Sequence, residues 1–199
     1  MKVTGIVLAG GLSTRMGRDK ASLPFGADTL LERAIRIVSE VSDEVIAVAR
    51  PGQATPPGSR VVHDPIADLG PLAGLAAGLS ASTTELNIVV ACDMPLVRSS
   101  VLRRLLALCE DAEICVAVVD GHASPLCAVY RSSVAGVAQQ LLAGGERRVM
   151  ALLDRVQTKR VEAAQFRDLD PDLDSFVSCN TPEAYAAALV RLKADATPS

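Results

Sequence analysis

The chain has 199 residues, 49% hydrophobic and 22% charged, which is the composition of one ordinary globular domain. Its net charge is −3 and only 3% of its residues are aromatic, with no Trp. These values argue against a DNA or RNA partner, because such partners are bound by basic patches and stacked aromatic rings. No apolar run has the length of a membrane span, and the first residues lack a signal-peptide pattern.

The five cysteines are odd in number and show no CxxC spacing; they are Cys92, Cys109, Cys115, Cys127 and Cys179. This pattern predicts neither a disulfide framework nor a cysteine-based zinc site. Reduced thiols are typical of the cytoplasm, where we expect the protein to be.

Strands and helices alternate along the chain. The first predicted helix opens with the capping box Thr29-Leu30-Leu31-Glu32, and Ser99 or Ser100 is expected to cap a later one. The last helix follows Thr181 as its cap and has Pro182 at its first position. The predicted strands are Thr4–Leu8, Glu44–Ala49, Arg60–His63, Asn87–Ala91, Ile114–Val119, Leu126–Tyr130 and Thr158–Glu162. Two of the predicted helices open at Thr29 and at Ser99 or Ser100. The other four are Pro71–Ser80, Val134–Leu142, Val149–Asp154 and Pro182 to about Lys193.

This order predicts an α/β fold, a three-layer α/β/α sandwich around a mostly parallel, Rossmann-like sheet. Ligands of such sheets bind beyond the carboxyl ends of the strands, so the loops after Leu8, Ala49, His63 and Ala91 should meet there. We expect a single domain over residues 1–199. Residues 1–95 would mainly bind nucleotide and metal, residues 96–193 would mainly face the acceptor and complete the sheet, and residues 194–199 would be a frayed tail.

A glycine-rich segment follows the first strand. Gly10, Gly11 and Gly17 allow backbone N–H groups to approach an anion, while Arg15 and Lys20 supply positive charge. The segment has neither the P-loop nor the GxGxxG spacing. A plain glycine turn with solvated charges is the alternative, but its position after a buried strand favours a phosphate cradle.

One acidic residue, Asp93, ends a buried strand at the same edge. Mg²⁺ is commonly held by one or two carboxylates together with substrate phosphates. Asp93 is therefore the candidate metal ligand, and a plain turn cap before Pro95 is the alternative.

Three further segments carry weaker signals. Asp64, Gly70 and Gly74 surround a helix start and could contact a base or ribose, or simply form the turn. Arg147 and Arg148 follow Gly144-Gly145-Glu146 and could hold an acceptor phosphate, or be solvated. Asn180 could face the acceptor or be structural. Cys179 has no charged or basic neighbour in the sequence that would make it a nucleophile.

Together these segments resemble the molybdenum cofactor guanylyltransferases, over nearly the whole chain. The first motif is shared by many NTP transferases, whereas the later ones are narrower. The matching segments are Leu8-Ala9-Gly10-Gly11, Arg15-Met16-Gly17, Asp19-Lys20, His63-Asp64, Gly70-Pro71-Leu72-Ala73-Gly74, Cys92-Asp93-Met94-Pro95, Gly145-Glu146-Arg147-Arg148-Val149-Met150 and Asn180-Thr181-Pro182-Glu183.

The resemblance implies a magnesium-dependent nucleotidyltransferase that transfers GMP from GTP to molybdopterin and releases pyrophosphate. It implies no membrane or nucleic-acid partner, and transient contact with cofactor-delivery proteins or recipient molybdoenzymes. It places magnesium on Asp93 and the nucleotide on Leu8, Ala9, Gly10, Gly11, Lys20 and Asp64, to which Gly70 and Gly74 are added as candidates. Arg15, Lys20 and Asp93 are the expected catalytic residues, and Arg147, Arg148 and Asn180 the expected acceptor contacts.

Two departures from the family pattern stand out. Val48-Ala49-Arg50 replaces a strand end that often carries Asn, and Ser178 replaces the first Asn of an Asn-x-Asn-Thr-Pro motif. The alternatives are a related cytidylyl- or sugar-phosphate nucleotidyltransferase, and a non-catalytic nucleotide-binding regulator on the same fold. Preference for CTP would favour the first, and GTP binding without pyrophosphate release would favour the second.

Overall fold

The computed structural model describes residues 2–9, 19–57, 59–63 and 70–195. Within those ranges, seven strands form one sheet and two short ones form a separate hairpin. The strands are β1 (Val3–Leu8), β2 (Pro24–Phe25), β3 (Asp28–Thr29), β4 (Glu44–Ala49), β5 (Arg60–His63), β6 (Leu86–Ala91), β7 (Ile114–Val119), β8 (His122–Arg131) and β9 (Thr158–Glu162). The helices are α1 (Leu30–Ser39), α2 (Pro71–Ala81), α3 (Ser99–Cys109), α4 (Ala135–Ala143), α5 (Val149–Leu153) and α6 (Pro182–Asp195).

The sheet has the order β5-β4-β1-β6-β8-β7-β9. Strand β1 lies at its centre, parallel to β4 and to β6, and Leu8 is in register with Val48 on one side and Ala91 on the other. Only β8 runs antiparallel to its neighbours. The predicted mostly parallel sheet is therefore confirmed, and the ends of β1, β4 and β6 lie at one edge.

Strand β8 begins four residues earlier than the sequence predicted, at His122 instead of Leu126. The reason is the two-residue turn Asp120-Gly121, which joins β7 to β8 with φ of 50° and 76°. Two successive residues with positive φ make the tight turn that matches strand twist, and Asp-Gly favours it. The pairing of Val119 with His122 extends β8 back to the turn.

Two apolar layers cover the sheet, one on each face. Val7 packs on the side of α1 and α3, whereas its neighbours Ile6 and Leu8 pack on the side of α2, α4 and α5. This alternation is the period-two pattern of a strand buried on both faces. The predicted three-layer sandwich is confirmed. Among the described residues, no helix is both long and apolar enough to cross a membrane.

Of the three predicted helix caps, those of α1 and α6 are confirmed and that of α3 is not. The capping box of α1 is present, since Glu32 N donates to Thr29 Oγ1 over 3.2 Å and Thr29 N donates to the Glu32 carboxylate over 2.7 Å. Thr181 accepts from Ala184 N at the start of α6. The expected Ser99 or Ser100 cap of α3 is wrong. The cap residue is Arg98, which lacks a side-chain cap, and its N–H donates instead to Ser175 Oγ over 3.1 Å.

A small third core joins the hairpin β2–β3 to α6, a feature that the sequence did not predict. Phe25, Leu30, Leu96, Cys179 and Ala188 are its buried members. Burying a side chain the size of Phe25 or Leu30 stabilises the fold by about 2–3 kcal/mol. This core packs three chain segments together. One follows Lys20, another follows Asp93, and the third precedes Asn180.

Candidate active site

The ends of the central strands are tied together by backbone hydrogen bonds. Ala9 N donates to Val48 O over 2.9 Å, and Cys92 N donates to Leu8 O over 3.0 Å. The residues that follow β1 and β6 therefore lie side by side, as the parallel sheet predicts. Leu8 and Ala9 are buried here, and the backbone bonds just given already use Ala9 N and Leu8 O.

Three of the residues singled out in the sequence meet at this edge, and we call Lys20, Asp93 and Asn180 the strand-end cluster. Lys20 Nζ donates to Asn180 Oδ1 over 2.7 Å and lies 3.5 Å from Asp93 Oδ2. Asn180 Nδ2 donates in turn to Ser178 Oγ over 2.8 Å. The side chains of Lys20 and Asp93 are only 15% and 20% exposed. Such partial burial strengthens their electrostatic effect on a ligand.

One carboxylate oxygen of Asp93 is unpaired among the described residues. Its Oδ1 is buried and has no hydrogen-bond partner among the described residues. Its backbone carbonyl accepts from Cys179 N over 2.7 Å, which fixes the residue against the segment before α6. Within the described ranges, no group of three His, Cys, Asp or Glu residues could hold a metal. The described residues therefore supply no complete protein cage for a cation at Asp93.

A second polar group, not predicted from the sequence, surrounds Asp19. Its carboxylate accepts from Gln53 Nε2 over 3.1 Å and pairs with Arg50 Nη2 over 3.2 Å. The pocket beside it has a volume of about 460 Å³, and its lining residues are Asp19, Arg50, Pro51, Gly52 and Gln53. The sequence predicted no contact for Arg50, which stood out only as a departure from the family pattern.

Gly70 and the arginine segment, which we define as residues 144–148, lie against each other. Gly70 has φ of 78°, and a Cβ on it would stand 3.2 Å from Arg147 O. A side chain is therefore disfavoured both by backbone conformation and by space. Contact with the chain itself is enough to require glycine here, whether or not a ligand approaches. Gly74 lies in the first turn of α2.

Glu146 organises the charges of the arginine segment. Its carboxylate accepts from the backbone N–H groups of Arg147 and Arg148 over 2.8 and 2.9 Å, and from the Arg148 guanidinium over 2.9 Å. The hydrogen bond from Arg148 is the main cause that lowers the pKa of Glu146 to about 2. Arg147 Nη1 is turned toward the carbonyls of Leu142 and Glu146. The Arg148 side chain remains 78% exposed.

Four of the predicted site residues fall outside the described residues: Gly10, Gly11, Arg15 and Asp64. The five cysteines are buried and unpaired, as the sequence predicted. Burial raises the pKa of the Cys179 thiol to about 11, which disfavours the nucleophilic thiolate near neutral pH.

Comparison with known proteins places the chain among nucleotidyltransferases. Residues 5–161 match the MobA-like NTP transferase domain. A probable molybdenum cofactor guanylyltransferase from Mycobacterium avium is 37% identical over 176 residues, covering 85% of this chain and 89% of the relative.

Two solved structures share the fold. Molybdopterin-guanine dinucleotide biosynthesis protein A from Archaeoglobus fulgidus has a TM-score of 0.82 at 23% identity, covering 96% of this chain and 99% of that one. The 2-C-methyl-D-erythritol 4-phosphate cytidylyltransferase from Thermus thermophilus has a TM-score of 0.73 at 16% identity, covering 94% and 98%. The same fold thus occurs in proteins named for different nucleotides. The family model, in contrast, matches most of the chain, so this chain belongs to the MobA-like NTP transferase family.

Proposed function

We propose that this protein transfers GMP from GTP to the terminal phosphate of molybdopterin, forming the guanine dinucleotide cofactor and releasing pyrophosphate. The observation that carries the proposal is the strand-end cluster. It brings together an ammonium group and a carboxylate, one oxygen of which has no hydrogen-bond partner among the described residues, at the sheet edge where ligands of such folds bind. The extensive match to a probable guanylyltransferase favours GTP and molybdopterin as the substrates.

The proposed reaction is one substitution at the α-phosphorus of GTP. An oxygen of the acceptor phosphate forms the new bond to that phosphorus, and the bond to the bridging oxygen breaks, so that pyrophosphate leaves with the electron pair. A phosphate monoester is already largely ionised near pH 7, with a second pKa of about 6, so no strong base is required. The protein then contributes position and charge.

Lys20 is the residue best placed to stabilise the developing charge. Its ammonium would contact the triphosphate, and Arg15 and the backbone of Gly10 and Gly11 are proposed to hold the leaving pyrophosphate with it. Leu8 and Ala9 remain proposed neighbours of the nucleotide at the end of the first strand, with their side chains buried in the fold. Asp64, Gly70 and Gly74 remain proposed neighbours of the base or ribose.

Mg²⁺ is the proposed cofactor, with Asp93 as its protein ligand. The buried Oδ1 of Asp93, which lacks a partner among the described residues, fits a single-carboxylate site of the kind that Mg²⁺ shares with phosphates. When bound, the metal would neutralise charge on the phosphate oxygens. Lys20, 3.5 Å from Oδ2, limits the negative charge that Asp93 presents to a nucleotide without metal.

The acceptor is proposed to lie toward the arginine segment and Asn180. Arg148 carries the most exposed guanidinium there, and Glu146 orients it. Asn180 could contact the acceptor through its amide while its Oδ1 holds Lys20. The reaction is proposed to occur in the cytoplasm, with transient transfer of the product to delivery proteins or recipient molybdoenzymes.

The testing experiment measures pyrophosphate release with Mg²⁺ and either GTP or CTP, each with and without molybdopterin. We expect release only when GTP and molybdopterin are present together. Preference for CTP would instead assign the protein to the cytidylyl enzymes. GTP binding without release in any combination would favour the regulator, and would contradict the proposal.

A further inference from the structure

Gln53 bridges the two ends of the glycine-rich segment. Its Nε2 donates to Ala9 O over 3.2 Å and to the Asp19 carboxylate over 3.1 Å. Ala9 and Asp19 are the residues that flank positions 10–18. One side-chain amide thus fixes the chain on both sides of the predicted phosphate cradle.

Gln53 is itself held in place by the loop that follows β4. Its Oε1 accepts from Arg50 N over 3.0 Å, and its N–H donates to Arg50 O over 3.1 Å. These two bonds close a turn on the end of a central strand. These bonds anchor the amide to the end of the strand, so its position is defined by contacts within the chain.

Asp19 makes two further contacts within the chain. Its Oδ1 accepts from Ala21 N over 3.3 Å and so caps the short turn that begins at Lys20. The Arg50 guanidinium pairs with the same carboxylate, whose side chain is 31% exposed. A hydrogen bond from Gln53 to this charged group is stronger than one between neutral groups.

We propose that Gln53 is a positioning residue that fixes Ala9 and Asp19 relative to each other and thereby favours binding of the triphosphate of the nucleotide. The inference rests on the proposed function. Because the segment would hold the triphosphate equally before and during transfer, loss of the bridge weakens nucleotide binding more than turnover. The measurable effect is on the Kd and KM for GTP, and not on kcat or on the KM for the acceptor.

Three variants of the full chain test this role. Gln53→Leu removes both the donor and the acceptor. Gln53→Glu keeps the acceptor for Arg50 N, loses the donor and faces Asp19 with a second negative charge. Gln53→Glu combined with Asp19→Asn restores a donor–acceptor pair of reversed polarity. Gln165→Leu and Gln165→Glu are matched controls, because Gln165 is exposed on the surface.

The expected result is about a 10-fold rise in the Kd and KM for GTP in Gln53→Leu, the size of losing a hydrogen bond to a charged group. Gln53→Glu should bind GTP more weakly still, and the double variant should recover part of the lost GTP affinity. The kcat, the acceptor KM and the melting temperature should stay within about 2-fold or a few degrees of the controls.

Equal GTP affinity in wild type and all Gln53 variants would overturn the inference and leave the proposed function intact. A loss of kcat in parallel with melting temperature, at unchanged GTP KM, would also overturn it by making Gln53 structural. Equilibrium binding separates the two hypotheses, because a wild-type protein that binds GTP without transfer refutes the function and still tests Gln53. A wild type that binds no GTP would overturn both.

Discussion

The strand-end cluster and the arginine segment are both charged, but they differ in how far their carboxylates are paired within the described residues. In the cluster, Asp93 keeps a buried oxygen without a partner among the described residues, and Lys20 lies 3.5 Å from the other oxygen. In the arginine segment, Glu146 accepts four hydrogen bonds from Arg147 and Arg148. Among the described residues, the first arrangement leaves one carboxylate oxygen without a hydrogen-bond partner, whereas the second is largely satisfied within the chain.

This difference separates residues expected to act in catalysis from residues expected to act in recognition. Leaving a buried polar atom without a partner is costly, so such an atom is commonly paired with an ordered water, an ion or a ligand. An exposed ion pair contributes little to stability or binding, because water and salt screen it. Substitutions in the strand-end cluster should therefore reduce turnover strongly, and those in the arginine segment only weakly.

The largest effect is expected for Asp93→Asn. This change keeps the shape of the side chain and removes its negative charge, and we expect a fall in kcat of about 10³-fold. Pyrophosphate release measures the loss, and circular dichroism checks the fold. Asp120→Asn is the matched control, because Asp120 is exposed and its positive φ suits Asn. Activity of Asp93→Asn within a few-fold of wild type would show that the negative charge of Asp93 is not needed for the reaction.

Lys20→Met should follow, with kcat lowered about 10²-fold because one preorganised charge is lost. Lys159→Met is the control, since the ion pair of Lys159 with Glu110 lies at the surface. Lys20→Arg should recover little, because a guanidinium is larger and cannot replace a point charge in the same space. Full activity in Lys20→Arg would show that the geometry around Asn180 is not critical.

Asn180 tests whether the cluster works as a unit. Asn180→Leu removes the acceptor of the Lys20 ammonium, and we expect kcat to fall about 10-fold. Asn180→Asp retains an acceptor oxygen and should stay nearer to wild type. Steady-state kinetics with varied molybdopterin provide the measurement. A raised acceptor KM at unchanged kcat would assign Asn180 to the acceptor alone.

The smallest effect is expected in the arginine segment. Arg148→Ala should raise the acceptor KM only about 3-fold, as for an exposed charge, with kcat unchanged. The folded-state pKa of Glu146 is depressed, so its pairing is complete above the ordinary value of 4.5 and is lost only as pH falls through about 2. The acceptor KM should therefore show no titration of Glu146 between about pH 6 and 9. A 10²-fold fall in kcat for Arg148→Ala would remove the distinction between the two regions.

Much of the fold followed from the sequence, because buried parallel strands are apolar throughout and end at recognisable loops. The capping box at Thr29 and the strand that ends before Asp93 were both predicted from local sequence patterns, and tertiary contacts did not change either of them. The early start of β8 depended on reading Asp120-Gly121 as a tight turn. The cap of α3 depended on Ser175, a distant residue, so no local pattern could have predicted it.

The site divided in the same way. Glycines, Lys20 and Asp93 were predicted because they follow strands in the sequence. The contact of Asn180 with Lys20 spans 160 positions and is created by the third core, whose hairpin of two-residue strands carries too short a pattern to recognise. The bridge made by Gln53 likewise joins separate loops through one amide. Such contacts depend on tertiary packing, which periodicity does not encode.

The most direct test of the central claim follows two phosphorus labels from GTP. With wild-type protein, Mg²⁺ and molybdopterin, we expect label from the α-phosphate in the pterin dinucleotide and label from the γ-phosphate in pyrophosphate. Asp93→Asn should produce neither. Label from the γ-phosphate on the pterin, or α-label released only as free GMP, would contradict the proposed transfer.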